Sequence, residues 1–175
     1  VAGKGCDAAA QEAAKLAGAT KVLVADADHY EHQLAEPMAE LIVGLASDYE
    51  TIITAATTSG KNIMPRAAAL LDVMQLSDIT AVVSADTFER PIYAGNVIVT
   101  VEVASDQPVV ATVRTASYKA AEGGGNAAVD SASPSTDLPE HTRFLEVLSV
   151  DSGRPDLQTA PVVVSGGRAL RSEED

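Results

Sequence analysis

This 175-residue chain has one cysteine, no tryptophan, four tyrosines and two phenylalanines. The lone thiol, Cys6, excludes an internal disulfide framework and suits a reducing compartment. So few aromatic rings give no stacking platform for single-stranded nucleic acid. Basic residues are scarce as well: 12 Lys and Arg stand against 25 Asp and Glu, a formal charge of −13. Such a surface repels phosphate backbones and anionic lipid, which excludes a nucleic-acid partner. No apolar run approaches the roughly 20 residues that cross a bilayer, and no charged-then-apolar leader or transit-type segment opens the chain. These absences set the expectation of a soluble bacterial cytoplasmic protein that is not membrane-embedded. Val1 reads as a cut end.

What the chain does have is apolar content: 46% hydrophobic residues, enough to exclude wholesale disorder, in a length that fits one domain with a real core. Asp7 is positioned to cap an Ala-rich helix ending near Gly18. Lys21–Ala25 reads as a buried strand. A helix begins at Glu36-Pro37, with proline first, and runs to about Ala46. Thr51–Ala55 is the next strand, followed by a loop over Thr57–Asn62 and a helix from Pro65 to Leu71; Asp78–Ser84 is a further strand. Strands alternating with helices predict an α/β fold, a three-layer α/β/α arrangement around a mostly parallel sheet. After Ser84 the pattern becomes consecutively β-rich. Phe88–Ala94 and Val97–Ala104 flank Gly95-Asn96, a hairpin signal, and Val109–Thr115 follows a turn at Asp106-Gln107-Pro108, so these runs predict an added antiparallel section. Ala121–Pro139 is low in complexity and predicts a mobile surface loop. His141–Val150 returns to strand-like alternation, and Ser152-Gly153-Arg154-Pro155 reads as a linker.

The most site-like stretch is Arg154 to Arg168. There a β-branched run, Val162–Val164, opens into Ser165-Gly166-Gly167 and delivers Arg168. Gly-rich turns at the end of a buried strand bring backbone N–H groups close to an anionic cofactor. A second candidate is Gly3-Lys4-Gly5-Cys6-Asp7-Ala8, which fits G-x-G-x-x-G/A, opens a helix and is followed by a strand ending in Asp26 at the offset of a ribose-binding acid. No strand is legible before Gly3, so the alternative is a tight strand-to-helix turn with Asp26 a solvated strand-end residue. Ser59-Gly60-Lys61-Asn62 resembles a phosphate loop but lacks its first glycine, where Ala55 stands, and has Asn62 in place of the magnesium-binding hydroxyl. His29 and His32 are three apart, yet His141 and Cys6 complete no metal-ligand spacing, so no metal site is expected. No serine sits in a nucleophile elbow.

Four segments together resemble the electron transfer flavoprotein alpha subunit family: Ser59-Gly-Lys-Asn-Ile-Met-Pro-Arg66, Asp86-Thr-Phe-Glu-Arg-Pro-Ile-Tyr-Ala-Gly-Asn96, Arg114-Thr-Ala-Ser-Tyr118, and Arg154-Pro-Asp through Ser165-Gly-Gly-Arg168. The resemblance implies an electron carrier, not an enzyme with its own substrate. It further implies an FAD-containing heterodimer with a beta subunit, taking electrons from dehydrogenases such as acyl-CoA dehydrogenases and passing them to a quinone oxidoreductase. Residues 1–150 would be the N-terminal α/β scaffold domain with its first strand and helix missing. Residues 151–175 would be a linker and the first strand of a truncated FAD-binding domain. Arg168 would match a cofactor-contacting position, and Gly167, Gly166 and Ser165 would do so more weakly. FAD is expected in the full-length heterodimer and not in this fragment. Two alternatives remain: a nucleotide-dependent oxidoreductase using Gly3, Gly5 and Asp26, and a non-redox nucleotide-binding or signalling domain of the same fold.

Overall fold

The structure, a computed structural model, describes residues 1–104, 106–133, 138–148, 153, 155, 157 and 160–172. It divides into two compact units, Val1–Phe144 and Leu145–Asp175.

In the first unit, β1 (Ala2–Gly3), β2 (Lys21–Asp26) and β9 (Ala128–Ser131) form a parallel sheet in the order β1-β2-β9. A second parallel sheet, β3-β8-β4, is built from β3 (Thr51–Ala55), β8 (Val109–Val113) and β4 (Gln75–Ile79). An antiparallel sheet joins β5 (Ala81–Val82), β6 (Thr87–Ile92) and β7 (Val97–Glu102). Helices α1 (Asp7–Ala14), α2 (Ala35–Leu45) and α3 (Thr58–Leu70) flank the parallel sheets. This is the α/β class with an antiparallel addition that the sequence predicts.

The core follows from side-chain size. Helix α1 offers alanines at positions 10 and 14, one turn apart, and these lie against Val22, Val24 and Ala127. Helix α3 sets Met64 and Ala68 on Val110, and Leu76, Ile79, Phe88, Val109 and Ala111 form the cluster where β4, β6 and β8 meet. Buried Thr112 satisfies its hydroxyl by accepting the Asp78 backbone N–H at 2.8 Å.

Several expectations are corrected. Helix α1 starts after Cys6, with Asp7 in its first turn and not capping it, and it stops at Ala14. The segment after Glu122 takes over its end: Ala17 donates to the Glu122 carbonyl, Gly125 to Lys15 and Ala127 to Ala14. Ala121–Pro139 is therefore no simple loop. A side chain at Gly125 would collide with the Leu16 carbonyl, so its small residues serve close approach, and the chain then runs into β9 beside β2. Pro134 to Asp137 of that segment lie outside the described residues.

Thr57–Asn62 is the capped start of α3: the Thr57 hydroxyl accepts the Gly60 N–H at 3.1 Å. Pro65 sits inside the helix instead of opening it. Burial of Ile63, Met64, Ala67 and Ala68 on the same segment outweighs the lost backbone bond. Pro37 lies in the third position of α2, still within the first turn, where no intrahelical donor is needed. The expected strand Asp78–Ser84 is divided: Asp78 and Ile79 end β4, which pairs with β8 and carries a register shift between Leu76 and Ile79 where Asp78 takes φ +61°, whereas Ala81–Val82 form β5 and pair with β6. Strand β8 belongs to the parallel core and not to the antiparallel section, and its first four residues are buried. An apolar run of this kind marks a central parallel strand as readily as a hairpin arm. The hairpin at Gly95 is as expected, with Ile92 opposite Val97.

In the second unit no described residue lies in a helix or strand. Val162–Val164, expected as a buried strand, is exposed and has no ladder partner. Alternation and β-branching make a strand only where an edge exists to pair with. His141–Leu148 forms no strand either. Ser149 and Val150, and Ser152 and Arg154 of the expected linker, lie outside the described residues.

Candidate functional site

The glycine turn at the amino end is occupied from within. Asp26 ends β2 directly opposite Gly3 of β1. One carboxylate oxygen accepts the Gly5 N–H at 3.0 Å and the other accepts the Cys6 N–H at 3.1 Å. Gly5 reaches this geometry at φ +64°. Backbone donors ahead of a helix are what a pyrophosphate would use, and here the chain's own carboxylate takes them. Asp26 is the exposed strand-end residue expected, and its two oxygens are in addition engaged by the turn. A strand, β1, does precede the turn. Lys4 beside it is tied to Asp28 at 3.1 Å and Glu31 at 3.3 Å. This geometry favours the strand-to-helix turn over the dinucleotide alternative.

Gly60 likewise serves packing. A Cβ there would collide with the Ala55 carbonyl oxygen and come within 2.9 Å of Thr54 Cγ2, so the glycine lets α3 close on β3. The histidines do not gather: His29 meets Tyr30 edge-on, His32 stacks on Phe144 with centroids 3.5 Å apart, and His141 faces Glu36 at 3.8 Å. Among the described residues no group of three or more His, Cys, Asp or Glu could hold a metal ion. Backbone N–H donation at the start of α2 holds the Glu36 carboxyl below its ordinary range against the opposing effect of burial, with Thr142, Arg66 and His141 assisting.

The strongest convergence lies at the carboxyl ends of β4 and β8. Arg114, just past β8, ion-pairs with Asp78 of β4 through both Nε and Nη2, the Nε bond being 3.1 Å. Arg90 of β6 donates from Nε to the Ser77 carbonyl at 2.7 Å. The Arg114 hydrogen bond is the main cause holding the Asp78 carboxyl below the usual carboxylate range; burial opposes it, and Lys61 and Arg90 add to it. Lys61, Arg90 and Arg114 come from three of the segments that carry the family resemblance. Asp78, the residue that Arg114 holds, was not legible as a site residue. Its only sequence signal is an acid beside the strand end where those arginines must land.

Ser165-Gly166-Gly167-Arg168 lies in the second unit, exposed, with Leu170 N–H donating to the Gly167 carbonyl at 3.1 Å. A side chain at Gly167 would meet nothing within 4 Å, whereas one at Gly166 would run into Leu170. Glu173, Glu174 and Asp175 lie outside the described residues.

The family model for the electron transfer flavoprotein domain matches residues 1–137. The chain belongs to that family. The electron transfer flavoprotein domain here is similar to proteins named electron transfer flavoprotein subunit alpha in three bacteria. It is 54% identical to that of Paracoccus denitrificans over 173 residues, which cover 99% of this chain and 56% of the relative. It is 53% identical to that of Bradyrhizobium diazoefficiens, covering 100% and 55%, and 48% identical to that of Pseudomonas aeruginosa, covering 100% and 56%. The chain thus spans a little over half the length of these relatives. Among its described residues no helix is long and apolar enough to cross a membrane.

Proposed function

We propose that this chain is part of an electron transfer flavoprotein alpha subunit and serves as the scaffold and subunit-interface domain of an FAD-containing heterodimer. The heterodimer carries electrons from dehydrogenases, such as acyl-CoA dehydrogenases, toward a quinone oxidoreductase of the respiratory chain, and has no substrate chemistry of its own. The observation that carries this reading is the identity of 54% maintained across 99% of the chain.

In this reading residues 1–150 are the scaffold domain, and residues 151–175 lead into the FAD-binding domain. Two open sheet edges support it. Among the described residues, β1 pairs only with β2, and β3 only with β8. A groove of about 510 Å³ is lined by Val1, Leu23, Ile42, Leu45, Ile52 and Ile53, and Ile53 is 59% exposed in the middle of a parallel strand. Parallel strands are ordinarily covered on both faces. One further strand and its helix, the pair absent in this reading, would supply that cover.

FAD supplies one-electron and hydride chemistry when bound. The residues at Ser165–Arg168 fit one edge of such a site, because Arg168 is an exposed permanent cation and Gly167 leaves the backbone open to a close neighbour. None of the cavities described in this structure is lined by a residue beyond Thr142. Since a cofactor of that size needs most of its surface enclosed, the remaining walls come from the rest of the alpha subunit and from the beta subunit.

The test is co-expression of the complete alpha subunit with its beta-type partner. A yellow heterodimer that is reduced by an acyl-CoA dehydrogenase and ignores NAD(H) is the expected result. A colourless protein that binds NAD at Gly3–Ala8 would return the nucleotide-dependent oxidoreductase to the lead.

A further inference from the structure

All three histidines of the chain, His29, His32 and His141, border one seam. One side of it is the 3₁₀ turn Asp28–Tyr30 with the start of α2. The other side is residues 138–144, where the first unit ends. The rings share no common point, but each contributes to the contact. His32 stacks on Phe144 with centroids 3.5 Å apart and planes 14° apart. His141 Nε2 stands 3.8 Å from Glu36 Oε1. His29 and His32 also line a cavity of about 190 Å³ with Leu34, Pro37, Leu138 and Pro139.

Residues 138–144 lie in no helix or strand, and among the described residues no backbone–backbone hydrogen bond ties them to the rest of the unit. A segment fastened by side chains and not by a ladder opens at low cost. Here the fastening includes two imidazoles, and histidine is the side chain whose charge ordinarily changes between about pH 5 and 8.

We propose that residues 138–144 form a proton-fastened strap, clamped on the first unit when His141 and His32 are protonated and released when they are neutral. A proton on His141 puts a positive charge opposite Glu36, whose side chain is 16% exposed. The Glu36 carboxyl is held below its ordinary range, chiefly by backbone N–H donation at the start of α2, so it is ionised wherever histidine titrates. A proton on His32 turns a neutral ring stack into a cation over the Phe144 face. The other titratable and charged groups at the seam do not replace these partners. Asp28 and Glu31 are taken by Lys4, and His29 is edge-on to Tyr30. Glu40 lies one turn along α2, Arg66 of α3 acts on the Glu36 carboxylate, and Glu140 and Arg143 are exposed on the strap itself. Among the described residues Glu36 is the one carboxylate within ion-pair distance of a histidine. Both protonated contacts are gained on docking, so the fastening is complete below the histidine range and is lost as pH rises through it. Each residue released adds up to about 3.5 Å of reach, so protonation shortens the free chain that follows.

The experiment is limited proteolysis of the complete alpha subunit by a non-specific protease at about pH 5.5 and about pH 8, either side of the histidine range. Cuts within residues 138–144 are quantified by mass spectrometry. Each variant is compared with wild type at the same pH, so the pH dependence of the protease cancels. His141 is 59% exposed, so His141→Gln leaves the fold in place. It should be cut about two- to fivefold faster than wild type at the lower pH, the worth of an exposed ion pair, and at the wild-type rate at the higher. Glu36→Gln should match it at the lower pH, and the double variant should add nothing further. Wild-type cutting, normalised to a free peptide of the same sequence, should rise from the lower pH to the higher. A ratio that stays level or falls would overturn the strap, as would wild-type rates for His141→Gln at both pH values. Equal acceleration of His141→Gln at both would show a contact that owes nothing to the proton and overturn it as well.

Discussion

Asp26 and Gly5 are joined across the β1–α1 turn by a hydrogen bond of 3.0 Å from backbone N–H to carboxylate. With the parallel bond from Cys6 at 3.1 Å, this gives the start of α1 its negative group from within the chain. Asp26→Ala removes both acceptors and should cost about 1–2 kcal/mol, in the range of a lost helix cap, read as a lower urea midpoint at unchanged slope. The same geometry predicts that NAD gives no calorimetric binding signal at concentrations up to about 100 μM. Binding that Asp26→Ala abolishes would show that the carboxylate faces a ligand and not the turn.

Gly60→Ala tests the packing role of the glycine in the Ser59–Asn62 segment. The added methyl collides with the Ala55 carbonyl in a buried, capped first turn, so α3 must retreat from β3. The expected loss is about 3 kcal/mol. Lys61→Ala, one residue on and exposed, should change stability by less than about 0.5 kcal/mol. Equal effects from the two would restore a loop reading of the segment.

Local signals with a single structural meaning were legible in the sequence. The hairpin at Gly95-Asn96, the strands Lys21–Ala25 and Thr51–Ala55 and the α2 span needed only turn chemistry and periodicity. The misreadings share a cause: residues whose meaning depends on a distant partner. Gly125 looks like a flexible glycine until the end of α1 is placed against it. Val109–Val113 looks like a hairpin arm until β3 and β4 flank it. Val162–Val164 has β-strand composition and pairs with no described strand. At the candidate site Lys61 was visible as part of a failed phosphate loop. Asp78 was invisible, because its role depends on Arg114, 36 residues away.

The Asp78–Arg114 pair carries a pH signature. Its folded-state carboxyl lies below the ordinary value of about 3.9. Its contribution to stability is therefore fully present above that value and is lost as pH falls through the depressed folded-state value. The difference in unfolding free energy between wild type and Asp78→Asn should be level from about pH 5 to 7 and shrink as pH is lowered from about 4 toward 2. Paired urea titrations at each pH read this directly. A difference that grew on acidification would mean Asp78 is held in its protonated form.

Arg168 carries the clearest expectation for electron transfer, and it concerns the complete heterodimer. Arg168 is exposed beside Gly167, whose missing side chain leaves room for a close neighbour, and its guanidinium is planar and permanently charged. Reduction adds negative charge to a flavin, so a cation in hydrogen-bond contact favours the reduced form over the oxidised one. A charge-assisted hydrogen bond stronger by about 1.5–3 kcal/mol in the reduced form corresponds to about 60–130 mV for one electron. Arg168→Ala should lower the first reduction potential by that amount while leaving heterodimer formation unchanged, since the substitution lies outside the first unit. Arg168→Lys should recover part of the shift by retaining the charge without the planar fork. A redox titration against mediator dyes, with FAD content measured by absorbance, checks both. Unchanged FAD content together with an unchanged potential in Arg168→Ala would remove Arg168 from the cofactor site.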